Sequence, residues 1–235
     1  MNETTRADII SHAKREFPRE CCGLVVIRHG KEFYFPCRNL SSDPNNFILS
    51  PADYAKAEDV GDIVRIIHSH CNVGPQPSQA DLVACEVSGL PWSIVSLPNA
   101  TWGECKPSGY RAPLIGRVWV HGVLDCYELV RDWYQAERGV ILPHFERSEE
   151  WWKKGQNLYV ENFQAAGFTV MPEGTQPVIG DGLIMQLGSE VPNHAAIYLG
   201  EDLMLHHVQN RLSCREVFGG YWKKNTVAIV RHSST

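Results

Sequence analysis

Several features are missing from this sequence of 235 residues, and each absence excludes a class of protein. No apolar run reaches the roughly 18–20 residues that a transmembrane helix requires. The opening residues, MNETT, contain no basic segment followed by an apolar one, so they do not resemble an export signal. We therefore expect a protein that is made and folded in the cytoplasm and has no transmembrane segment.

A basic excess, internal repeats and low-complexity tracts are also lacking. The formal net charge is −5, with 22 Lys and Arg against 27 Asp and Glu, so no positive field attracts nucleic acid. The eight cysteines include no C-x-x-C pair, which argues against a zinc ribbon or a thioredoxin-like site. In a reducing compartment we expect most of them to be small buried residues.

The composition that is present describes an ordinary globular protein. Hydrophobic residues make up 43% of the chain and charged residues 21%. The length suits two domains that can each bury a core. A Pro- and Gly-rich stretch at residues 103–116 is the best boundary, and we predict two domains, 1–105 and 106–235.

The first chemically informative stretch is IIHSH at residues 66–70, which is separated by ten residues from Asp81. The apolar residues before it predict a buried strand, on which His68 and His70 point to one face. Asp81 lies in the first turn of a predicted helix, three residues after Ser78, where its carboxylate can become a third ligand. Three protein ligands leave the fourth position of a tetrahedral zinc open to water, as in catalytic sites.

Two nearby residues leave alternatives open. Glu20 is the last polar residue before an apolar strand, where a glutamate is usually only solvated, yet it is also the candidate base. Cys71 follows the second histidine directly, and its thiol could close the site as a fourth ligand. The histidines and the aspartate could also form a hydrogen-bonded surface cluster without metal.

Glu20 before Cys-Gly-Leu, the His-Ser-His triplet, and Asp81 with Ser78 three residues before it resemble the JAMM metalloprotease pattern. The resemblance implies a mixed α/β sheet domain that holds Zn²⁺ with His68, His70 and Asp81. It also implies Glu20 as general base through the bound water and Ser78 as the residue that stabilises the oxyanion. Many members of the family have proline where this chain has a cysteine after the second histidine.

The second half contains a candidate nucleophile, Cys126, at the start of a helical pattern. The unpaired N–H groups and the dipole of a helix N-terminus favour a thiolate, which is the form that attacks carbonyl groups. A buried structural cysteine in the first helical turn is the alternative interpretation.

Histidines on two later strands are candidates for the partner base. The segment HAAIYLG places His194 at the start of one strand, and the next strand carries His206 and His207. In a hairpin of this length His206 falls beside His194 and could orient its imidazole. His207 is the alternative for that role, and strand histidines can also be merely hydrogen-bonded polar residues.

Asp-Cys at a helix start, HAAIYLG, and a histidine twelve residues after the first resemble the NlpC-type cell-wall peptidases, which have a papain-like α+β fold. The resemblance implies Cys126 as nucleophile, His194 as base and His206 as orienting residue. The implied substrate is the D-glutamyl to diaminopimelate bond of peptidoglycan stem peptides. Tyr127 and Glu128 replace the usual Ser-Gly after the cysteine, which leaves the substrate preference open.

The order of a JAMM unit followed by an NlpC-type unit resembles a family of tail assembly proteins of lambda-like phages. The segments PLIGR (113–117), LVRDW (129–133) and FGGYW (218–222) also resemble that family. The resemblance implies a two-site peptidase with other tail-tip proteins as partners, present in the host cytoplasm during assembly and at the tail tip, which reaches the periplasm at infection. Two substrates are possible for the zinc site, a tail protein that is processed in assembly and a peptidoglycan crosslink. One alternative is an adaptor protein that uses both folds for binding, with one or both sites idle. Another is an isopeptidase that acts on ubiquitin-like tags, a hypothesis that explains only the first half of the chain.

Overall fold

The computed structural model describes residues 1–235, which form two compact units, Met1–Arg111 and Ala112–Thr235. Each unit has its own sheet and its own buried apolar clusters. Helices and strands are mixed in both units, so the expected α+β class is confirmed. None of the helices combines the length and the hydrophobicity that a membrane crossing requires.

The first unit is a five-stranded mixed sheet in the order β2-β1-β3-β4-β5. The only parallel pair is β3 and β4, because α3 forms the crossover between them, and the other neighbours are antiparallel. Its elements are α1 (Glu3–Glu16), β1 (Cys22–Arg28), β2 (Lys31–Cys37), α2 (Pro51–Val60), β3 (Asp62–Cys71), α3 (Gln79–Ser88), β4 (Trp92–Leu97) and β5 (Thr101–Cys105).

Local sequence signals explain most boundaries in this unit. The side chains of Asn2, Ser50 and Ser78 each accept a backbone N–H in the first turn of α1, α2 and α3. β1 and β2 form an antiparallel hairpin. Residues 47–49 do not form a strand, because Leu49 makes only an isolated bridge to Asn39 and no ladder extends from it.

The second unit is a six-stranded antiparallel sheet in the order β10-β9-β8-β7-β11-β6. Leu129, Trp133 and Tyr134 of α4 are buried and pack with strand residues in one apolar cluster. Its elements are α4 (Cys126–Arg138), a 3-10 turn (Trp151–Lys154), α5 (Leu158–Asn162), β6 (Phe168–Val170), β7 (Gly182–Met185), β8 (His194–Gly200), β9 (Leu203–His206), β10 (Cys214–Val217), α6 (Gly220–Asn225) and β11 (Thr226–His232).

Candidate active sites

Three metal-ligating side chains converge where β3 ends and α3 begins. The Nε2 atom of His68 lies 3.2 Å from Nε2 of His70 and 3.2 Å from Oδ1 of Asp81. The distance from Nε2 of His70 to Oδ2 of Asp81 is 3.4 Å. All three residues are buried. The structure therefore brings together the three side chains that the spacing predicted as ligands.

The second ring nitrogen of His70 decides what this cluster can hold. Nδ1 lies 2.8 Å from the backbone oxygen of Gly74, which can only accept, so Nδ1 carries the hydrogen. In the neutral ring Nε2 then presents a lone pair to a carboxylate oxygen of Asp81. Two acceptors facing each other repel unless a proton or a metal cation lies between them. Burial would lower the pKa of His70, but the hydrogen bond with Asp81 raises it above its ordinary value, so a proton fills this position when no metal is bound. Two imidazoles with one carboxylate also suit Zn²⁺. The donor set therefore fits the metal.

The carboxylate of Asp81 is fixed by the cap of α3. The hydroxyl oxygen of Ser78 accepts the N–H of Asp81 at 3.1 Å, and the N–H of Ser78 donates to Oδ2 of Asp81 at 2.7 Å. Burial alone would raise the pKa of Asp81, but hydrogen bonds with His68 and His70 hold that pKa well below its usual range. Ser78 is thus part of the support of a ligand, in addition to any role toward a substrate.

Glu20 and Cys71 differ in their relation to the cluster. Glu20 is buried, and burial together with the charges of Asp81 and Asp43 raises the pKa of its carboxyl group to about 9. The thiol of Cys71 donates to the backbone oxygen of Arg19 at 3.4 Å and is absent from the group of converging ligand atoms. The alternative of a fourth protein ligand at this position is therefore wrong, because strand alternation points Cys71 to the opposite face.

The thiol of the second unit lies at the first residue of α4. Asp125 is the cap of this helix, and its Oδ1 accepts the N–H groups of Tyr127 and Glu128, each at 3.0 Å. These N–H groups are then no longer available to stabilise a thiolate. Burial and the negative charge of Asp125 raise the pKa of Cys126 above its ordinary value. The prediction that this helix N-terminus favours a thiolate is wrong for the resting protein.

A buried ion cluster supports the start of α4. Nη2 of Arg147 lies 2.8 Å from Oδ2 of Asp125 and 2.9 Å from Oε1 of Glu128. The three side chains are 7%, 3% and 9% exposed, so the pairs are largely shielded from water. Burial opposes ionisation of Asp125, but the charge of Arg147 keeps the pKa of Asp125 below its usual range. The cluster fixes the backbone that carries the thiol.

A relay of hydrogen bonds runs across the three strands β8, β9 and β10. Nε2 of His194 lies 3.3 Å from Nδ1 of His206, and Nε2 of His206 lies 3.0 Å from Oε2 of Glu216. A carboxylate only accepts, so His206 carries its hydrogen on Nε2 and accepts at Nδ1. His194 must then donate from its Nε2. The relay therefore leaves a lone pair on Nδ1 of His194.

His206 is the last residue of β9 and His207 follows the strand, and the two rings have different partners. Nε2 of His207 lies 3.1 Å from the backbone oxygen of Arg211, whereas His206 contacts His194. Burial, followed by the nearby His206 and His207, lowers the pKa of His194 to about 3, so its ring is neutral at physiological pH. His206, and not His207, therefore lies where it can orient the ring of His194.

The thiol and the base border one cavity of about 370 Å³. The backbone N–H of Ala195, the residue after His194, donates to the Cys126 sulfur, and the sulfur also lies 3.2 Å from the hydroxyl of Tyr159. Much of the wall is aromatic: Trp119, Tyr127, Phe145, Trp151, Trp152, Tyr159, Phe163 and Phe168. The cavity can hold an extended apolar or amphipathic group beside the thiol.

Sequence reasoning missed Glu216, Arg147 and Tyr159. Glu216 had a signal, because Cys214-x-Glu216 alternates on a short strand that pairs with the strand of His206. Arg147 and Tyr159 lie in a segment without regular patterning, and no sequence feature linked them to the helix start.

The chain has relatives among known proteins. A model of the NlpC/P60 family matches residues 102–231, and a model of prokaryotic homologs of the JAB domain matches residues 2–106. The chain is 40% identical over 235 residues to the tail tip assembly protein K of Escherichia phage N15, covering 99% of this chain and 96% of the relative. It is 42% identical over 185 residues to the protein of that name in Escherichia phage lambda, covering 78% and 89%.

Solved structures are more distant. A JAB1/MPN domain protein from Archaeoglobus fulgidus is 19% identical, with a match over 47% of this chain and 91% of that chain and a TM-score of 0.30. The family models and the two phage relatives confirm the expected order of a JAB-like unit followed by an NlpC-type unit.

Proposed function

The chain belongs to the family of the phage tail tip assembly proteins K, and on that premise we propose that it is a two-site peptidase of the tail tip. Its partners are other tail-tip proteins, which it meets in the host cytoplasm during assembly. Residues 106–235 act on peptidoglycan when the tail tip reaches the periplasm, and residues 1–105 form the metal domain.

The relay from Glu216 to His194 is the observation that carries the thiol activity. It leaves the lone pair of His194 on Nδ1, the nitrogen that must accept the Cys126 proton because Nε2 is bonded to His206. The resting sulfur is a thiol, so proton transfer to His194 accompanies its attack on the carbonyl carbon. His194 then protonates the leaving amine, and water hydrolyses the acyl-enzyme to release the acid and restore the thiol.

The substrate of the thiol site is a peptidoglycan stem peptide, cleaved between D-glutamate and diaminopimelate. The NlpC/P60 match supports this substrate class, and the cavity beside Cys126 has room for a peptide segment. Cleavage would open a path for the tail through the cell wall.

The metal domain hydrolyses an amide or isopeptide bond. His68, His70 and Asp81 hold Zn²⁺, which supplies Lewis acidity toward water and the carbonyl oxygen when bound. Burial and the charges of Asp81 and Asp43 raise the pKa of Glu20 to about 9, so Glu20 would act as base only when the charge of a bound cation offsets them. It would then accept the proton of the attacking water and pass it to the leaving amine, and Ser78 can donate its hydroxyl hydrogen to the oxyanion. The substrate class is a tail protein processed in assembly or a peptidoglycan crosslink.

Defined muropeptides test the thiol site directly. We expect the full chain to cleave them, Cys126→Ala to lose cleavage, and Cys105→Ala, a matched cysteine change in the other unit, to retain it. Mass spectrometry of the products identifies the bond. If the wild-type chain cleaves nothing with or without Zn²⁺, or if Cys126→Ala cleaves equally well, the chain is instead an adaptor that uses both folds for binding.

A further inference from the structure

A second cluster of metal-ligating side chains lies at the outer end of the relay. Nε2 of His206, the sulfur of Cys214 and a carboxylate oxygen of Glu216 all lie within 4.8 Å of one another. Cys214 is the direct antiparallel partner of His206, and Glu216 follows two residues later on the same face of β10. His206 is buried, whereas Cys214 and Glu216 are partly exposed, so an ion can enter from solvent.

The donor chemistry points to one class of ion. A thiolate, an imidazole and a carboxylate are the ligands of Zn²⁺ and of similar borderline ions, whereas Ca²⁺ and Mg²⁺ prefer oxygen alone. Arg211 is the competing cation, with Nη2 at 3.6 Å from Oε2 of Glu216, but its side chain is 54% exposed and free to turn into water.

We propose that His206, Cys214 and Glu216 bind a Zn²⁺-class ion and that this binding switches off the thiol peptidase. Only the second part rests on the proposed peptidase function. The site is distinct from the His68, His70 and Asp81 cluster, which contains no cysteine.

The switch follows from the direction of the relay. A metal ion takes the lone pair of Nε2 of His206, so the hydrogen of this ring must sit on Nδ1. His206 then donates to Nε2 of His194, and the hydrogen of His194 moves to Nδ1. The lone pair that would accept the Cys126 proton is lost. The two rings keep one hydrogen each, and the Cys214 thiol releases one proton to solvent.

Cobalt substitution tests the binding in the full chain. In a Cys126→Ala background, Co²⁺ should produce a near-ultraviolet thiolate charge-transfer band that Zn²⁺ abolishes by competition. The band should persist with the control change Cys105→Ser and disappear with Cys214→Ser. A band that survives Cys214→Ser, or no band in the background protein, overturns the site.

Zinc inhibition tests the switch. The cleavage rate of each variant with added Zn²⁺ is divided by the rate of the same variant in a metal chelator. Cys214→Ser should require at least about tenfold more Zn²⁺ for half-inhibition of muropeptide cleavage than Cys105→Ser does. Equal sensitivity of the two variants overturns the switch. A wild-type chain that cleaves nothing refutes the peptidase, and the switch with it, whereas the cobalt band still decides whether the site exists.

Discussion

The two candidate sites use histidine at a strand terminus for different chemistry, and the second ring nitrogen makes the difference. Nδ1 of His70 donates to a backbone oxygen, so its Nε2 faces a carboxylate, and a proton or a metal cation lies between them. Nε2 of His194 donates into a relay that ends on Glu216, so its lone pair is left for a proton. Whether such a histidine can serve as a metal ligand or as a base depends on the hydrogen-bond partner of its other ring nitrogen.

The largest expected effect is a separation of the two sites. His194→Ala should lower muropeptide cleavage by about 10³-fold or more, because the thiol loses its base, and should leave retained zinc unchanged. His70→Ala should retain about one zinc per chain fewer than the wild type after gel filtration and should keep cleavage. Product analysis and metal analysis of the same preparations check both halves.

The contrary result would be a loss of both zinc and cleavage in His70→Ala. If His70→Ala abolished cleavage in a chain that remained folded by circular dichroism, the thiol activity would depend on the metal domain, and the comparison between two independent sites would fail.

The next effect concerns the buried ion cluster that supports the start of α4. Arg147→Ala leaves the buried carboxylates of Asp125 and Glu128 without their shared cation, which should cost about 3–5 kcal/mol of unfolding free energy. Lys153→Ala removes an exposed cation paired with Glu150 and should cost less than about 1 kcal/mol. Denaturant unfolding of the full chain measures both, and equal costs would show that the buried pairs stabilise the fold no more than an exposed pair does.

The same cluster predicts a pH dependence. The pKa of Asp125 is lowered in the folded protein, so its stabilising contribution is present above the ordinary aspartate pKa of about 3.9 and is lost as the pH falls below that value. We expect wild-type stability to decline in that range more steeply than that of Arg147→Ala. Parallel pH profiles of the two proteins would contradict the assignment.

A smaller effect tests the direction of the relay. Glu216→Ala removes a hydrogen bond from a carboxylate and should lower cleavage about 10- to 100-fold, since such bonds contribute about 1.5–3 kcal/mol. Glu216→Gln keeps an oxygen that accepts from His206 and should restore most of the rate. A purely structural role predicts no such rescue in kcat.

The same assay distinguishes His206, the last residue of β9, from His207, which follows the strand. His206→Ala should lower the cleavage rate by at least as much as Glu216→Ala, because it removes the contact with His194. His207→Ala should change the rate less, since its Nε2 contacts only a backbone oxygen. The opposite ranking would transfer the orienting role to His207.

The sequence predicted the metal cluster better than the thiol site for a physical reason. His68, His70 and Asp81 lie close along the chain, so strand alternation and one helix cap determine their placement. The thiol site assembles across α4 and three strands, and its Glu216 depends on sheet register that no local pattern specifies. The thiolate prediction failed because burial and the charge of Asp125 both raise the pKa of Cys126 and act against the helix N-terminus.

The smallest expected effect separates two equivalent helix caps in the first unit. Ser78 and Ser50 both accept the N–H of the residue three positions later, so Ser78→Ala and Ser50→Ala should each cost about 1 kcal/mol of unfolding free energy. Only the Ser78 hydroxyl fixes the backbone of a predicted metal ligand, Asp81, so only Ser78→Ala should weaken zinc binding, by about tenfold. Competition with a zinc chelator measures the affinity. Equal affinities in the two variants would mean that the backbone N–H of Ser78 alone holds Asp81 in place.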